Sequence, residues 1–326
     1  MQNKRIVFKK GEYLTKVSKL SGKKILVTGA SGFIGTHLCN KLYSRGAEVH
    51  GISRREQSED RKNIRWWEGD IADIKIARII LSEIRPDIIF HLASHVAGAR
   101  NLELVLPTFH SNLTGSVNIL TLATELECNR IIITGSLEEP DQGEAGAIPC
   151  SPYAAAKWAG SVYARMFHAL YKTPVVLARL FMVYGPGQQD LRKLIPYVTL
   201  SALRQEAPKL SSGQRLVDWI YVEDVVDGLL LMAQAPDVEG HSIEIGSGVL
   251  VSVGTVVEEL LHIINPGIKP VFGHLPERPM EQVRVANAEV TYSMIGWKAR
   301  TSLKEGLQNT VKWYREISDK IDGVST

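Results

Sequence analysis

Gly29, Gly32 and Gly35 fall three residues apart in TGASGFIG, directly after the β-branched run KKILVTG (23–29) and at the start of an amphipathic stretch, 33–45. That spacing permits a tight turn, a close backbone approach to a pyrophosphate, and close packing of helix on strand. Phosphate then sits on the free N–H groups and positive dipole end of the helix, beside Ser31, Phe33 and Ile34. A glycine triplet alone is a weak signal, and its alternative is a plain tight turn. Its place between a strand and a helix, near the start of the fold, is the context that dinucleotide binding requires.

The first half of the chain repeats the same rhythm. Strands are expected at 47–53, 63–69, 87–93, 130–136 and 174–180, with helices at 73–85, 110–127 and 153–171, and a late strand at 241–247. Such alternation predicts a doubly wound parallel sheet, an α/β Rossmann fold with helices on both faces. After residue 180, Pro and Gly become denser (YGPGQQ, INPGIKP, GHLPERP) and the rhythm breaks, as in a smaller lobe laid over the strand ends. The expected division is a basic extension at 1–22, a dinucleotide-binding domain at 23–180 with a returning segment at about 215–247, and a C-terminal lobe from 181–214 and 248–326. With 326 residues, 44% of them hydrophobic and 22% charged, the chain has ample material for such a core.

The net charge of +3 is uneven: the first 24 residues hold eight Lys and Arg against Glu12, leaving 30 basic and 34 acidic residues in the body. A basic arm can touch a membrane or nucleic acid, but a solvated extension is the simpler reading, and the body has no field that favours nucleic acid. No apolar run approaches the roughly 18–20 residues needed to span a bilayer. The N-terminus lacks the sustained apolar core of a signal peptide. Cys39, Cys128 and Cys150 show neither metal nor disulfide spacing, and no His/Asp/Glu cluster suggests a metal. A cytoplasmic protein without a membrane or nucleic-acid partner is expected.

The second strand ends in Ser53-Arg54-Arg55, about 20 residues past the glycines, where a carboxylate would grip both ribose hydroxyls of NAD. A guanidinium can instead hold a 2′-phosphate and stack on adenine, so NADP(H) is favoured and NAD is the second choice; a basic loop in solvent is the alternative. Asp70 and Ile71 close the third strand, where a carboxylate can accept from the adenine amino group. Further along, Tyr153 and Lys157 stand four apart on one helix face. A nearby ammonium favours phenolate, so the tyrosine pKa is expected to fall, fitting it to exchange a proton with a carbonyl or alcohol as a hydride moves. Tyr-x-x-x-Lys alone is common by chance and would ordinarily be a surface pair.

Glycine turn and Tyr–Lys pair together resemble the extended short-chain dehydrogenase/reductase family that acts on nucleotide sugars. The resemblance runs from about Lys23 to Tyr314, through TGASGFIG, GDI (69–71), FHLAS (90–94), SPYAAAK (151–157), RLFMVYGPGQ (179–188), DWIYVEDVV (218–226), RP (278–279) and IGW (295–297). It implies a Ser136, Tyr153, Lys157 triad, with Ser136 bonding the reacting sugar oxygen and Lys157 also bonding the nicotinamide ribose. It implies cofactor contacts from Leu92, Ala93 and Ser94, and a C-terminal lobe that clamps a nucleoside-diphosphate sugar. Arg278 matches the late phosphate-binding arginine. Arg215 stands two residues before Val217, which replaces the family's frequent arginine, and reaches a phosphate either from a shifted position or, by strand alternation, from the same face as Val217. Met182 replaces an asparagine that usually touches the sugar nucleotide. His95 either contacts the sugar or is an ordinary packed or exposed histidine. A homodimer through the helices at 110–127 and 153–171 is implied as well.

The resemblance separates the family's chemistries only partly. Dehydratases commonly carry Asp or Ser, then Glu, where this chain has Leu137-Glu138; a base is present at Glu138 while the acid is missing. Gly135-Ser-Leu-Glu-Glu139 is similar to the run in 4-keto-6-deoxymannose reductases. Many 4-epimerases have neither carboxylate, and they hold NAD through an acidic residue that this chain lacks. Reduction of a 4-keto-6-deoxy sugar comes first, 4-epimerisation second and 4,6-dehydration third. A non-catalytic NADP sensor is the reading outside enzymes. Glu139 is expected to be a solvated turn residue and Cys150 structural.

Overall fold

The computed structural model describes residues 20–57, 63–96, 99–140, 146–277, 280 and 282–322. Arg278 and the expected basic extension, up to residue 19, lie outside them. In chain order the elements are β1 (Lys24–Thr28), α1 (Phe33–Ser44), β2 (Glu48–Ser53), β3 (Arg65–Glu68), α2 (Ile74–Ile84), β4 (Ile88–His91), α3 (Val105–Thr108), α4 (Gly115–Glu125), β5 (Arg130–Ser136), α5 (Pro152–Tyr171) and β6 (Val175–Leu180). There follow β7 (Met182–Tyr184), α6 (Leu194–Leu203), β8 (Leu216–Tyr221), α7 (Val222–Met232), β9 (Ser242–Ile245), β10 (Leu250–Ser252), α8 (Val253–Ile264), α9 (Ala288–Ile295) and α10 (Leu303–Asp322). They form two compact units, the first of residues 1–180, 226–244 and 289–297, the second of 181–225, 245–288 and 298–326.

The first unit is the expected Rossmann-type α/β fold. Its seven-stranded sheet has the order β3-β2-β1-β4-β5-β6-β9, and β1 pairs in parallel with both β2 and β4. Chain order therefore reverses between β1 and β4, which opens a crevice outside their carboxyl ends. Ile25, Leu26 and Val27 of β1 and Ile131 and Ile132 of β5 are wholly buried, as unbroken apolar runs must be when helices cover both faces. One face packs Leu26, Ile89 and Ile131 against Ile80, Leu81 and Ile84 of α2, Ile119 and Leu120 of α4, and Ala164 and Phe167 of α5. Local signals set the helix ends: Asp73 caps α2 through the amides of Lys75 and Ile76, and Ser151 caps α5 through that of Ala154, with Pro152 as its first residue.

The helix expected at 110–127 differs at its start. Residues Phe109–Thr114 are a π-helical stretch, and regular α-helix begins only at Gly115. The wider turn brings Asn112, 1% exposed, under the loop after β4, a use typical of such stretches near functional sites.

The second unit has its own three-stranded sheet, β10-β8-β7, with β8 antiparallel to β10 and parallel to β7. The returning segment of the first unit is thus 226–244 rather than 215–247, because β8 pairs within the second unit. Val217 and Trp219 of β8 pack against Ile195 and Val198 of α6, Val257 and Leu260 of α8, and Leu307 and Val311 of α10. Asp218, buried between them in sequence, ties the amides of Ser247, Gly248 and Ala286 to this sheet. Among the described residues no helix is long and apolar enough to cross a membrane.

Candidate active site

Close approach explains the glycines at the end of β1. Gly29 has φ +71°, and a Cβ there would meet the Ala93 amide nitrogen at 2.8 Å, while a Cβ on Gly35 would drive into the Gly29 carbonyl oxygen. Gly32 caps α1 with no side-chain hydrogen bond, and the first turn holds no acidic residue. The helix end thus keeps its positive character for an anion, with no side-chain cap on its first-turn amides. Leu92 and Ala93 run beside this turn, their amides donating to the Thr28 carbonyl and Oγ1 at 3.2 and 3.1 Å. Together these backbones form a cradle that side chains would fill, and they fit a dinucleotide. Ser31, Phe33 and Ile34 are half-buried at its rim.

Around the edge of β2, Ser53 is half-buried and its Oγ accepts from the Arg55 amide and Gln57 Nε2, while Arg54 and Arg55 are exposed. Asp70 is exposed and closes a turn by accepting the Ala72 amide at 2.9 Å. Ile71 is buried, and its carbonyl accepts from Asn118 Nδ2 at 2.9 Å. Asn118 was not among the residues expected in the site; it fixes this loop from α4.

The second half of the site is assembled from buried polar side chains. Lys157, 6% exposed, donates from Nζ to the Thr134 carbonyl at 2.8 Å and to its Oγ1 at 3.4 Å. Thr134 Oγ1 donates in turn to the His91 carbonyl. His91 is fully buried, with Nδ1 2.8 Å from Thr28 Oγ1 and Nε2 2.9 Å from Ser116 Oγ. Burial, with the Lys157 charge second, pushes the His91 pKa down to about 3, so the ring is neutral. Burial also lowers the Lys157 pKa to about 8, against the opposing pull of Glu139.

Tyr153 is half-buried one turn before Lys157, and its phenol lies near the hydroxyls of Ser136 and Ser94. Its pKa is raised, not lowered as the sequence suggested. Burial is the largest cause and the Glu138 carboxylate the next, and they outweigh the two serine hydroxyls. The Lys157 ammonium is turned to Thr134, which explains why it does not bring the phenol down.

Ser136 ends β5, 7% exposed, and its Oγ accepts the Glu138 amide at 3.2 Å, leaving its own proton to donate. Glu138 is half-buried; its Oε2 accepts from Ser151 Oγ at 3.3 Å and lies 3.7 Å from Cys150 Sγ. Burial and then Glu138 push the Cys150 thiol up, away from the reactive thiolate. Glu139 overturns its expectation as a solvated residue. It is 3% exposed, and its Oε1 and Oε2 accept from the Ser136 amide and Ser161 Oγ, both at 2.7 Å.

Of the residues expected to meet substrate, His95 is half-buried, its amide donating to Asn112 Oδ1 at 2.6 Å and its carbonyl accepting from Nδ2 at 3.2 Å. Arg215 lies in the second unit, half-buried just before β8. It is near enough to Glu277 to help lower that carboxyl's pKa, behind the hydrogen bonds from Ser212. Strand alternation does not carry it to the face of Val217, since β8 begins at Leu216. Arg278 follows Glu277 but lies outside the described residues. Among the described residues no three His, Cys, Asp or Glu side chains gather as a metal site.

Comparison with known proteins agrees with this geometry. Residues 25–246 match the NAD dependent epimerase/dehydratase family. Human dTDP-D-glucose 4,6-dehydratase is 24% identical over 317 residues, covering 90% of either chain. UDP-glucose 4-epimerase of Mycolicibacterium smegmatis is 28% identical over 316 residues, covering 90% of this chain and 99% of its own. Among solved structures, UDP-glucose 4-epimerase of Thermotoga maritima with UDP-glucose superposes with a TM-score of 0.83 at 26% identity, covering 90% of this chain and 99% of that one. Glycine cradle, strand order and family match converge: the chain belongs to the NAD dependent epimerase/dehydratase family, within the extended short-chain dehydrogenase/reductases.

Proposed function

We propose that the protein is an NADP(H)-dependent oxidoreductase acting at C4 of a nucleoside-diphosphate hexose, reducing a 4-keto-6-deoxy sugar. The observation that carries this reading is the Tyr153 phenol, set on α5 one turn before Lys157 and beside the Ser136 hydroxyl, with burial and Glu138 favouring its protonated form. A protonated phenol is a donor to a carbonyl oxygen rather than a base toward an alcohol. When bound, the nicotinamide supplies hydride to C4. Ser136 donates to the same oxygen and Tyr153 gives it the proton. Two of the three Lys157 donors are directed at Thr134, and the third serves the cofactor ribose.

Exposed Arg54 and Arg55 after β2 favour a 2′-phosphate, hence NADPH as a consumed reductant. Dehydration is disfavoured because Leu137, 8% exposed, offers no acid next to Glu138. Epimerisation with retained NAD is the second reading, favoured by the likeness to the two UDP-glucose 4-epimerases. The second unit, with Arg215 and Arg278, is the proposed clamp for the nucleoside diphosphate. A homodimer is proposed through the face where Leu106 and Phe109 (67% and 46% exposed) adjoin Val162 and Tyr163 of α5 (47% and 41%).

The test is to identify the dinucleotide carried by the purified protein and to follow NADPH absorbance with a panel of 4-keto and ordinary sugar nucleotides. Stoichiometric NADPH loss on keto substrates is expected. Isomer exchange without net loss would select the epimerase, and neither result would sink the C4 redox reading.

A further inference from the structure

The residues around Lys157 leave one strong charge without a role. Tyr153, Lys157, Ser161 and Arg165 follow one another at four-residue intervals, so they form a polar stripe along one face of α5. Glu139 comes back from the turn after β5 to meet this stripe at Ser161. Its carboxylate needs space above the strand, and Gly135 provides it: a Cβ there would lie 2.6 Å from Glu139 Oε1. On the neighbouring strand, Arg179 is the register partner of Gly135 and donates from Nη2 to the Pro140 carbonyl at 3.1 Å. A buried carboxylate is costly unless it is hydrogen-bonded and paired with positive charge. The Ser136 amide and Ser161 hydroxyl supply the hydrogen bonds, and Lys157 and Arg165 supply positive charge within electrostatic reach.

We propose that Glu139 is a positioning residue for the catalytic pair: the buried counter-charge that keeps Lys157 an ammonium, held by Ser161 through Oε2 while its Oε1 fixes the Ser136 backbone. The proposal rests on reading Tyr153 and Lys157 as the catalytic pair, and Glu139 acts through them without touching substrate. The charged groups facing it are Lys157 and Arg165 of α5 and Arg179 of β6, with Tyr153 adjacent, Glu138 in its own turn, and Glu244 already paired with Arg179. His91, on the far side of Lys157, is neutral. Without Glu139, the burial of Lys157 and the repulsion between Arg165 and Arg179 would lose the attraction that now opposes them. The Glu139 carboxylate draws the Lys157 pKa upward, against a burial that draws it down. An unprotonated Lys157 could not donate all three of its hydrogen bonds.

Lysine labelled with 13C at Cε gives a direct readout in the intact protein, with Lys157 assigned by the loss of its signal in Lys157→Met. The wild-type midpoint is expected near pH 8. In Glu139→Gln, which keeps the shape and removes the charge, it should fall by about one unit or more. Ser161→Ala, which removes a hydrogen bond and keeps the charge, should move it by less than about half a unit. If Glu139→Gln does not fold, Glu139→Asp gives the same decision through a smaller downward shift. A midpoint unchanged in a folded Glu139 variant overturns the proposal. In the reductive assay the alkaline limb of kcat/KM should move with the midpoint, and a limb that stays in place while turnover falls would reduce Glu139 to a structural role. Because the titration needs no substrate, it decides on Glu139 even if the wild type turns over no sugar nucleotide, which would count against the proposed function alone.

Discussion

The two ends of the crevice are built by opposite means. At β1–α1 the site is made by what side chains leave out: Gly29, Gly32 and Gly35 let backbone meet backbone, and the proposed binding groups are amides. At β5–α5 it is made by side chains that the fold had to bury, with Thr134, Lys157, His91, Ser136 and Glu139 each satisfied by a neighbour. A cradle of absent atoms tolerates no addition. A network of buried polar groups tolerates no subtraction, because each loss leaves a partner unsatisfied.

Substitutions test that contrast. Tyr153→Phe removes one oxygen from the network end and should lower turnover by about 10²–10⁴-fold, with dinucleotide affinity nearly unchanged; equal turnover would refute acid catalysis by this phenol. Gly35→Ala adds one carbon at the cradle end. Dinucleotide affinity, by titration calorimetry, should fall on the order of 100-fold, with a stability loss of about 1–3 kcal/mol from overpacking. Affinity preserved in that variant would mean that α1 can shift away and that the cradle is less rigid than its contacts indicate. At the rim, where neither rule applies, Arg54→Ser should weaken NADPH by about 10–100-fold, the worth of a charge-assisted bond, and leave NADH alone. Equal losses for both would undo the assignment of the 2′-phosphate.

The smallest effect concerns protons. His91 is held neutral with its pKa depressed to about 3 from 6.5, so the unfolded chain takes up a proton first as pH falls. Its contribution to stability is present above pH 6.5 and is lost as pH drops toward 3. By pH 5 the loss should be on the order of 2 kcal/mol, read as a steeper fall in urea stability than in His91→Leu over pH 8 to 5. Parallel slopes would place the acid sensitivity elsewhere in the network.

The same contrast explains what could be read beforehand. Glycine spacing and apolar runs record backbone geometry directly, so the parallel sheet, its Rossmann fold and the tight glycine turn were legible in order. Tyr153 and Lys157 were legible as a pair because helical periodicity fixes i and i+4. Their electrostatics were not: the phenol was expected to be lowered and is raised, since burial and Glu138 come from tertiary packing that no local window contains. Glu139 looked like a turn residue for the same reason. A clue lay in the continuation of the α5 stripe to Ser161 and Arg165, polar residues that needed a partner, and in Gly135, an unexplained glycine within a strand. The division of the lobes also went astray at β8, whose sequence suits either sheet until β7 and β10 are placed beside it.

The π-helical stretch before α4 has a consequence for how this region tolerates change. A π turn holds roughly one residue more than an α turn, so Phe109–Thr114 acts as a spacer that sets the rotational phase between Asn112 and the face of α4 bearing Ser116 and Ile119. Deleting a single residue there would preserve a helix of nearly the same composition while swinging Asn112 off the His95 backbone and leaving Ser116 beside His91. In this stretch chain length carries the information, and a residue count is a sharper constraint than any residue identity within it.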